Sequence, residues 1–140
     1  KRRLRNFKQI KTMFTTKILM TASAFFLVIV GILLSFLPQE ALHLIGKEDD
    51  LSFILQLCGA LLFGFGMLNW MVKGSLIGGI YNKGVVVANF AHFFIGSSIL
   101  IKQYAKNTDL SYLLIFGIIY SIFSIGFGYL LFNSPKLSNN

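Results

Sequence analysis

The sequence is short of charge. Only 13% of its 140 residues are Asp, Glu, Lys or Arg, whereas 55% are hydrophobic and the mean hydropathy is +0.71. A soluble domain needs about a quarter of its residues charged to keep its surface hydrated. The shortfall excludes a soluble enzyme, a disordered chain and a free nucleic-acid-binding domain, and it leaves an integral membrane protein.

Cysteine and histidine are also scarce. Cys58 is the single cysteine, so no disulfide forms within the chain. His43 and His92 are the two histidines and lie in different segments, whereas metal and haem sites need several converging ligands. No acidic residue interrupts the long apolar stretches. We therefore predict no catalytic residue, no metal and no cofactor.

Long apolar stretches, by contrast, make up most of the chain. Crossing the hydrocarbon layer takes about 20 mostly apolar residues in a helix. The predicted spans are residues 18–37, 51–72, 80–101 and 110–132, which form a membrane domain over residues 18–132. Their apolar residues lack the alternation of a membrane β-barrel. Because short connections force consecutive helices to lie antiparallel, the predicted fold is an all-α, up-down-up-down four-helix bundle with both termini on the same side.

Basic residues are distributed unevenly between the two predicted faces. Ten lie on the face of the N-terminus, and three lie on the other face with all five acidic residues. Because basic residues are retained on the cytoplasmic side, both termini are predicted to be cytoplasmic, in a bacterial inner (plasma) membrane. If translation starts at Met13 and not upstream of Lys1, the count falls to four against three.

The ends of the chain are polar. Residues 1–17 form a basic arm with seven of the lysines and arginines, and residues 133–140 form a polar tail. We favour the arm as a topogenic anchor attracted to anionic lipid headgroups; the alternative is a docking arm for nucleic acid or protein. The expected partners are membrane lipids, with a homodimer or a larger membrane complex as a further option and no nucleic acid.

Small residues form stripes on two predicted spans, and in lipid such stripes let helices pack closely. The stripe of the fourth span, at i, i+4, i+7 and i+11, consists of Gly117, Ser121, Ser124 and Gly128. In the second span, Gly59 and Gly66 share one face with Trp70. We predict that these glycines and serines are helix-packing residues. For the fourth span we favour a seam within the chain over a seam between two copies.

Four residues form a candidate ligand-binding site. Asn89 and His92 share one face of the third span and are expected to point inward, because a polar group facing acyl chains without a partner costs several kcal/mol. Asn69 and Trp70 end the second span, and all four lie within about 12 Å of the cytoplasmic helix ends at 1.5 Å per residue. Three roles stay open: hydrogen bonds that fix helix register, recognition of the polar head of an apolar ligand, and proton transfer or metal binding.

Residues 59–100 combine a glycine-rich helix ending in Asn69-Trp70, a glycine-bearing turn, and a helix with Asn89 and His92 on one face. In these features the segment resembles the central hairpin of small, uncharacterised four-helix bacterial membrane proteins of the DoxX-like kind. The resemblance implies the four-helix fold and little chemistry. Its matching positions are Asn69, Trp70, Asn89 and His92.

The predicted function is non-enzymatic: binding of a lipid-like or quinone-like small molecule, or a role as an accessory subunit of a membrane complex. The first alternative is a small transporter or channel that works as an oligomer across the Gly117 to Gly128 stripe. The second alternative is a membrane enzyme that acts on an apolar substrate with His92 as acid or base.

Overall fold

The computed structural model of the protein describes residues 2–44, 51–74 and 80–133. Within these ranges every regular element is a helix. The helices are α1 (Arg2–Phe36), α2 (Pro38–Leu44), α3 (Ser52–Val72), α4 (Ile80–Lys106) and α5 (Ser111–Asn133).

Four of the described helices contain segments that are long and apolar enough to cross a membrane. These segments are Met13–Phe36, Ser52–Val72, Lys83–Lys106 and Ser111–Asn133. Their mean hydropathy lies between 1.6 and 2.5. The all-α class and the four long apolar helices predicted from the sequence are therefore confirmed, and α3 and α5 begin and end within one residue of the predicted spans.

Two helices extend further than the predicted spans. α1 starts at Arg2, so the basic arm continues into the first span as a single helix of 35 residues. α4 continues to Lys106, five residues beyond the predicted end. Lysine and arginine end an apolar run, but they are good helix formers, so the helix continues through them.

Pro38 separates α1 from α2. Proline has no N–H and is accommodated best in the first turn of a helix, which is where Pro38 lies. On either side, Leu37 N–H donates to the Leu33 carbonyl (2.8 Å) and Ala41 N–H donates to the Leu37 carbonyl (3.1 Å). α2 contacts α3, and its Leu42 side chain is fully buried.

A tight turn joins α4 to α5. The N–H of Asn107 is shared between the carbonyls of Gln103 (3.2 Å) and Tyr104 (3.1 Å). The side-chain oxygen of Asn107 accepts a hydrogen bond from Asp109 N–H at 3.2 Å. This Asx turn satisfies backbone groups that the ends of the two helices would otherwise leave exposed.

The chain divides into two compact units. One unit is Met20–Lys73, and the other is Lys1–Leu19 together with Gly74–Asn140. The buried apolar side chains of the first are Met20, Ala24, Leu27 and Leu42. Those of the second are Val86, Phe93, Tyr120, Phe127 and Leu130.

The described helices are apolar on the outside and partly polar on the inside. Large apolar side chains are widely exposed, for example Phe36 at 79%, Met71 at 75% and Phe132 at 81%. The buried polar side chains include Thr16, Ser23, Asn69, Asn89, Ser97 and Ser124. Soluble monomers rarely expose apolar surface on this scale, whereas a bilayer covers it and leaves polar groups to be satisfied inside the protein. This distribution supports a multi-pass membrane protein.

Candidate functional site

Within the Met20–Lys73 unit, α1 and α3 approach each other at glycines. A Cβ atom placed on Gly59 would lie 2.7 Å from the Gly31 carbonyl oxygen and 2.7 Å from the Ser35 nitrogen. A Cβ atom on Gly66 would lie 2.9 Å from the Ala24 carbonyl oxygen. Only glycine allows two helix backbones to come this close. Because later residues of α3 meet earlier residues of α1, the two helices run antiparallel.

α4 and α5 form the close pair of the other unit. A Cβ atom on Gly117 would lie 3.2 Å from the Ile101 side chain, and one on Gly128 would lie 3.1 Å from the Phe90 ring. Later residues of α5 meet earlier residues of α4, so this pair is also antiparallel. Both glycines of the predicted α5 stripe thus pack against a helix of the same chain.

The serines of the α5 stripe lie between these glycines. Ser121 donates a hydrogen bond to the Gly117 carbonyl at 2.8 Å, and Ser124 is buried. On the facing helix, a Cβ atom on Gly96 would lie 2.6 Å from two ring carbons of Tyr120. Gly96 lies outside the predicted packing stripes, yet its missing side chain makes room for the tyrosine ring.

Asn69 links α3 to α1. Its Nδ2 atom donates to the Ser23 Oγ atom at 3.0 Å, and Ser23 donates in turn to the Met20 carbonyl at 3.1 Å. The side chains of Asn69 and Ser23 are both fully buried. A buried amide that bonds across two helices fixes their register and satisfies a donor that lipid cannot satisfy.

Asn89 and His92 lie on α4. Asn89 is fully buried, and its Nδ2 atom donates to the Val85 carbonyl one turn earlier, at 2.9 Å. The half-buried His92 ring lies 5.1 Å from the Phe93 ring and 5.5 Å from the Tyr120 ring, measured between centroids. His92 is therefore surrounded on these sides by aromatic side chains.

Trp70 lies near the end of α3 and is 41% exposed. Its ring meets the Phe25 ring of α1 edge to face, with centroids 5.3 Å apart and an interplanar angle of 80°. The Lys73 ammonium lies over the indole, 2.7 Å from the ring centroid. A cation over an indole face is attracted by the ring quadrupole. Trp70 therefore contacts both an apolar ring, that of Phe25, and a positive charge, that of Lys73.

An apolar groove opens beside this tryptophan. It has a volume of about 180 Å³ and is lined by Ala24, Phe25, Val28, Met67 and Trp70. We refer to it as the Trp70 groove. It is partly open to the surface and is not a closed cavity.

The four residues of the predicted site divide between the two units. Asn69 and Trp70 belong to Met20–Lys73, and Asn89 and His92 belong to the other unit. Trp70 lines the groove, whereas the amides of Asn69 and Asn89 donate hydrogen bonds within their own units. The gathering of all four residues into one site stays a prediction.

Sequence reasoning missed the α1 wall of the groove and the lysine beside it. Phe25 and Val28 had no distinguishing motif within a uniformly apolar span. The available signal was the row of small residues on α1, from Ala24 to Gly31 and Ser35, which marks the face turned toward α3. In the sequence, Lys73 indicates the orientation of the span, but a charge at the end of a span does not reveal the aromatic ring beside it.

The part of the chain that the structure describes contains no cluster of metal ligands. No group of three or more His, Cys, Asp or Glu side chains that could hold an ion occurs there. Cys58 is exposed on α3.

Comparison of the chain with protein-family models, with curated proteins and with solved structures finds no match.

Proposed function

We propose that the protein is a non-enzymatic, multi-pass protein of the bacterial inner (plasma) membrane that holds a lipid-like molecule in the Trp70 groove. The observation that carries the proposal is the groove itself, an apolar recess of about 180 Å³ on helices whose outer surface is apolar. A recess of this kind on a lipid-facing surface binds a chain more tightly than a flat surface does, because more atoms make contact with it.

The size of the groove favours a chain over a compact ligand. Sites that enclose a whole drug-sized molecule have about 300 to 1,000 Å³. A smaller, open groove accommodates one segment of a flexible apolar chain while the rest of the molecule lies in the bilayer. Lipid-like molecules, and quinone-like molecules with a long tail, have this shape.

The proposal includes an arrangement in the membrane. Two antiparallel helix pairs are compatible with an up-down-up-down order of the four spans. The ten basic residues on the face of the N-terminus, against three on the other, favour cytoplasmic ends. Trp70 and Lys73 would then lie at the cytoplasmic surface. The DoxX-like relationship is part of this proposal, with Asn69, Trp70, Asn89 and His92 as its matching positions.

The alternatives receive less support. A transporter or channel assembled across the α5 stripe needs that stripe at a contact between copies, whereas Gly117 and Gly128 pack against α4. An enzyme that uses His92 as acid or base has the phenol ring of Tyr120 beside the imidazole, with centroids 5.5 Å apart, but the Trp70 groove is lined by apolar side chains and does not include His92. An accessory subunit that retains lipid agrees with the same groove.

Native mass spectrometry of the full chain extracted in mild detergent tests the proposal. We expect bound molecules of lipid or quinone mass on the unaltered chain. Met67→Phe, which narrows the groove, should reduce retention at least twofold. Met71→Phe is the matched control, because Met71 is 75% exposed on the same helix and does not line the groove. A chain that retains nothing, or equal retention in both variants, would contradict the proposal.

A further inference from the structure

The outer part of the basic arm, residues 2–12, continues the helix of the first span. α1 is one α-helix from Arg2 to Phe36. Helices bend sharply at proline, at glycine–serine pairs or where their hydrogen bonds are interrupted, and residues 1–30 contain neither proline nor glycine. A helix that first follows the membrane surface and then crosses the bilayer needs such a bend. The arm therefore stands out from the membrane in the direction of the span.

The outermost cations of the arm lie beyond the reach of lipid headgroups. Lys17 is the last charged residue before the apolar run, so it marks the edge of the hydrocarbon. Arg5 and Arg2 lie about 18 and 22 Å further out at 1.5 Å per residue. The headgroup layer is about 5 to 7 Å thick, and the field of anionic lipids fades within a further ~8 Å. Anionic lipid therefore attracts the inner end of the arm and not its outer end.

The arm combines positive charge with an apolar line. Residues 1–12 contain six basic residues and no acidic residue. Phe7, Ile10 and Phe14 follow one another at i, i+3 and i+7, so these positions share one face of the helix. Phe14, the innermost of the three, is 67% exposed. Ile10 and Phe7 lie about 10 and 15 Å outside Lys17, where acyl chains do not reach them.

We infer that the arm is a docking helix for an acidic protein that has an apolar groove. Helices that bind in such grooves place their apolar anchors at i, i+3, i+4 and i+7, and the apolar line has this spacing. Carboxylates at the rim of the groove would pair with Arg2, Arg3 and Arg5. A nucleic acid would neutralise the cations but leave the apolar line without a function. The inference concerns the arm and is independent of the Trp70 groove.

Calcium-loaded calmodulin is the probe for this chemistry, because it is acidic and its apolar groove binds basic amphipathic helices. Calcium-free calmodulin is the matched control, since it keeps the acidic side chains but closes the groove. The full chain is reconstituted in nanodiscs of phosphatidylcholine, and binding is measured by the fluorescence anisotropy of labelled calmodulin. We expect binding that weakens at least tenfold when calcium is removed.

Two variants separate the charge from the apolar line. The triple variant Arg2→Gln, Arg3→Gln, Arg5→Gln should weaken binding about tenfold, because an exposed ion pair contributes about twofold. Phe7→Gln should weaken binding at least tenfold, because it removes an aromatic anchor. Lys102→Gln, at an exposed lysine of α4, is the control and should leave binding unchanged.

Three results of this experiment would overturn the inference. Binding that does not depend on calcium, or that survives Phe7→Gln, would show that charge acts without a groove. Absence of binding to calcium-loaded calmodulin would show that the arm does not fit an acidic groove. A short RNA that binds more tightly than calcium-loaded calmodulin would make nucleic acid the partner class.

A dye on the arm tests whether lipid holds it instead. An environment-sensitive dye is attached at Phe7→Cys in a chain that carries Cys58→Ser. Its emission should indicate water, and it should not change when half of the phosphatidylcholine is replaced by phosphatidylglycerol. Ile29→Cys is the control, because Ile29 is 55% exposed within the apolar span and its dye should report lipid in both bilayers. A blue shift at Phe7→Cys with phosphatidylglycerol would place the arm on the membrane and overturn the inference.

Discussion

Adding a single methyl group at Gly59 tests the close contact of α1 and α3. In Gly59→Ala the new Cβ atom would lie 2.5 Å from the Ser35 Oγ atom, 2.7 Å from the Ser35 nitrogen and 2.7 Å from the Gly31 carbonyl oxygen. Two of these atoms belong to the backbone of α1, so no side-chain rotation relieves the clash. Gly64 on the same helix has no atom within 4 Å of its Cβ position and provides the matched control.

The magnitude follows from the distances. Ordinary van der Waals contact begins at 3.4 Å, so the backbones must separate by about 0.7 Å around Gly59. A gap of this size forfeits a quarter to a half of the dispersion energy of the contacts it opens, and in lipid no hydrophobic effect compensates the loss. Overpacking of this kind costs about 1 to 3 kcal/mol, and we expect about 2 kcal/mol. Gly64→Ala should cause no loss, because alanine favours the helix by up to about 1 kcal/mol.

Unfolding of the two variants by dodecyl sulfate in mild detergent measures the difference. Trp70 reports the separation of this helix pair, since its ring contacts Phe25 of α1. A cost of 2 kcal/mol raises the unfolding equilibrium constant about 30-fold and moves the midpoint to a lower fraction of dodecyl sulfate. Equal midpoints for Gly59→Ala and Gly64→Ala would refute the close packing of α1 and α3.

Two further predictions concern the buried amide and the orientation. The variants Ser23→Ala, Asn69→Ala and the double variant form a double-mutant cycle, measured by unfolding in dodecyl sulfate. We expect a coupling free energy of about 0.6 kcal/mol, the average for hydrogen bonds between helices in lipid. Additive effects of the two substitutions would contradict a hydrogen bond between Asn69 and Ser23. In a chain carrying Cys58→Ser, a membrane-impermeant thiol reagent added to intact cells should label Asp109→Cys and leave Ser75→Cys unlabelled. The reverse pattern would overturn the proposed cytoplasmic ends.

The number and length of the helices could be predicted because lipid imposes a simple requirement on composition. A span needs enough apolar residues to cross the hydrocarbon and a helix to satisfy its backbone. The charges at the ends of a run locate the membrane surface, but they do not locate the end of the helix. α4 therefore continues past Lys102 to Lys106, and the chain turns only where the Asn107 side chain accepts the Asp109 N–H.

The Trp70 groove could not be predicted because it depends on the axial register of two helices. A helical period assigns residues to faces, but sliding α1 by one turn keeps the same face against α3 and changes every pair of neighbours. The contact of Phe25 with Trp70 occurs in the same register that joins Asn69 to Ser23 and packs Gly66 against Ala24. The sequence places Asn69 near the end of the second span, in the candidate site, but it does not identify Ser23 as the partner of its amide.

Asn69 and Trp70 are neighbours in one candidate site in the sequence, but in the structure they have different roles. The Asn69 amide donates to Ser23, and in lipid that donor is costly to release, since an unpaired polar group has no water to replace the lost bond. Trp70, one residue later, turns an apolar ring to the groove and carries the Lys73 cation on its face. The asparagine thus aligns the walls, and the tryptophan with its lysine supplies the contact surface and the charge. Loss of the amide should shift the groove walls relative to each other, whereas loss of the lysine should leave the bond that aligns them in place.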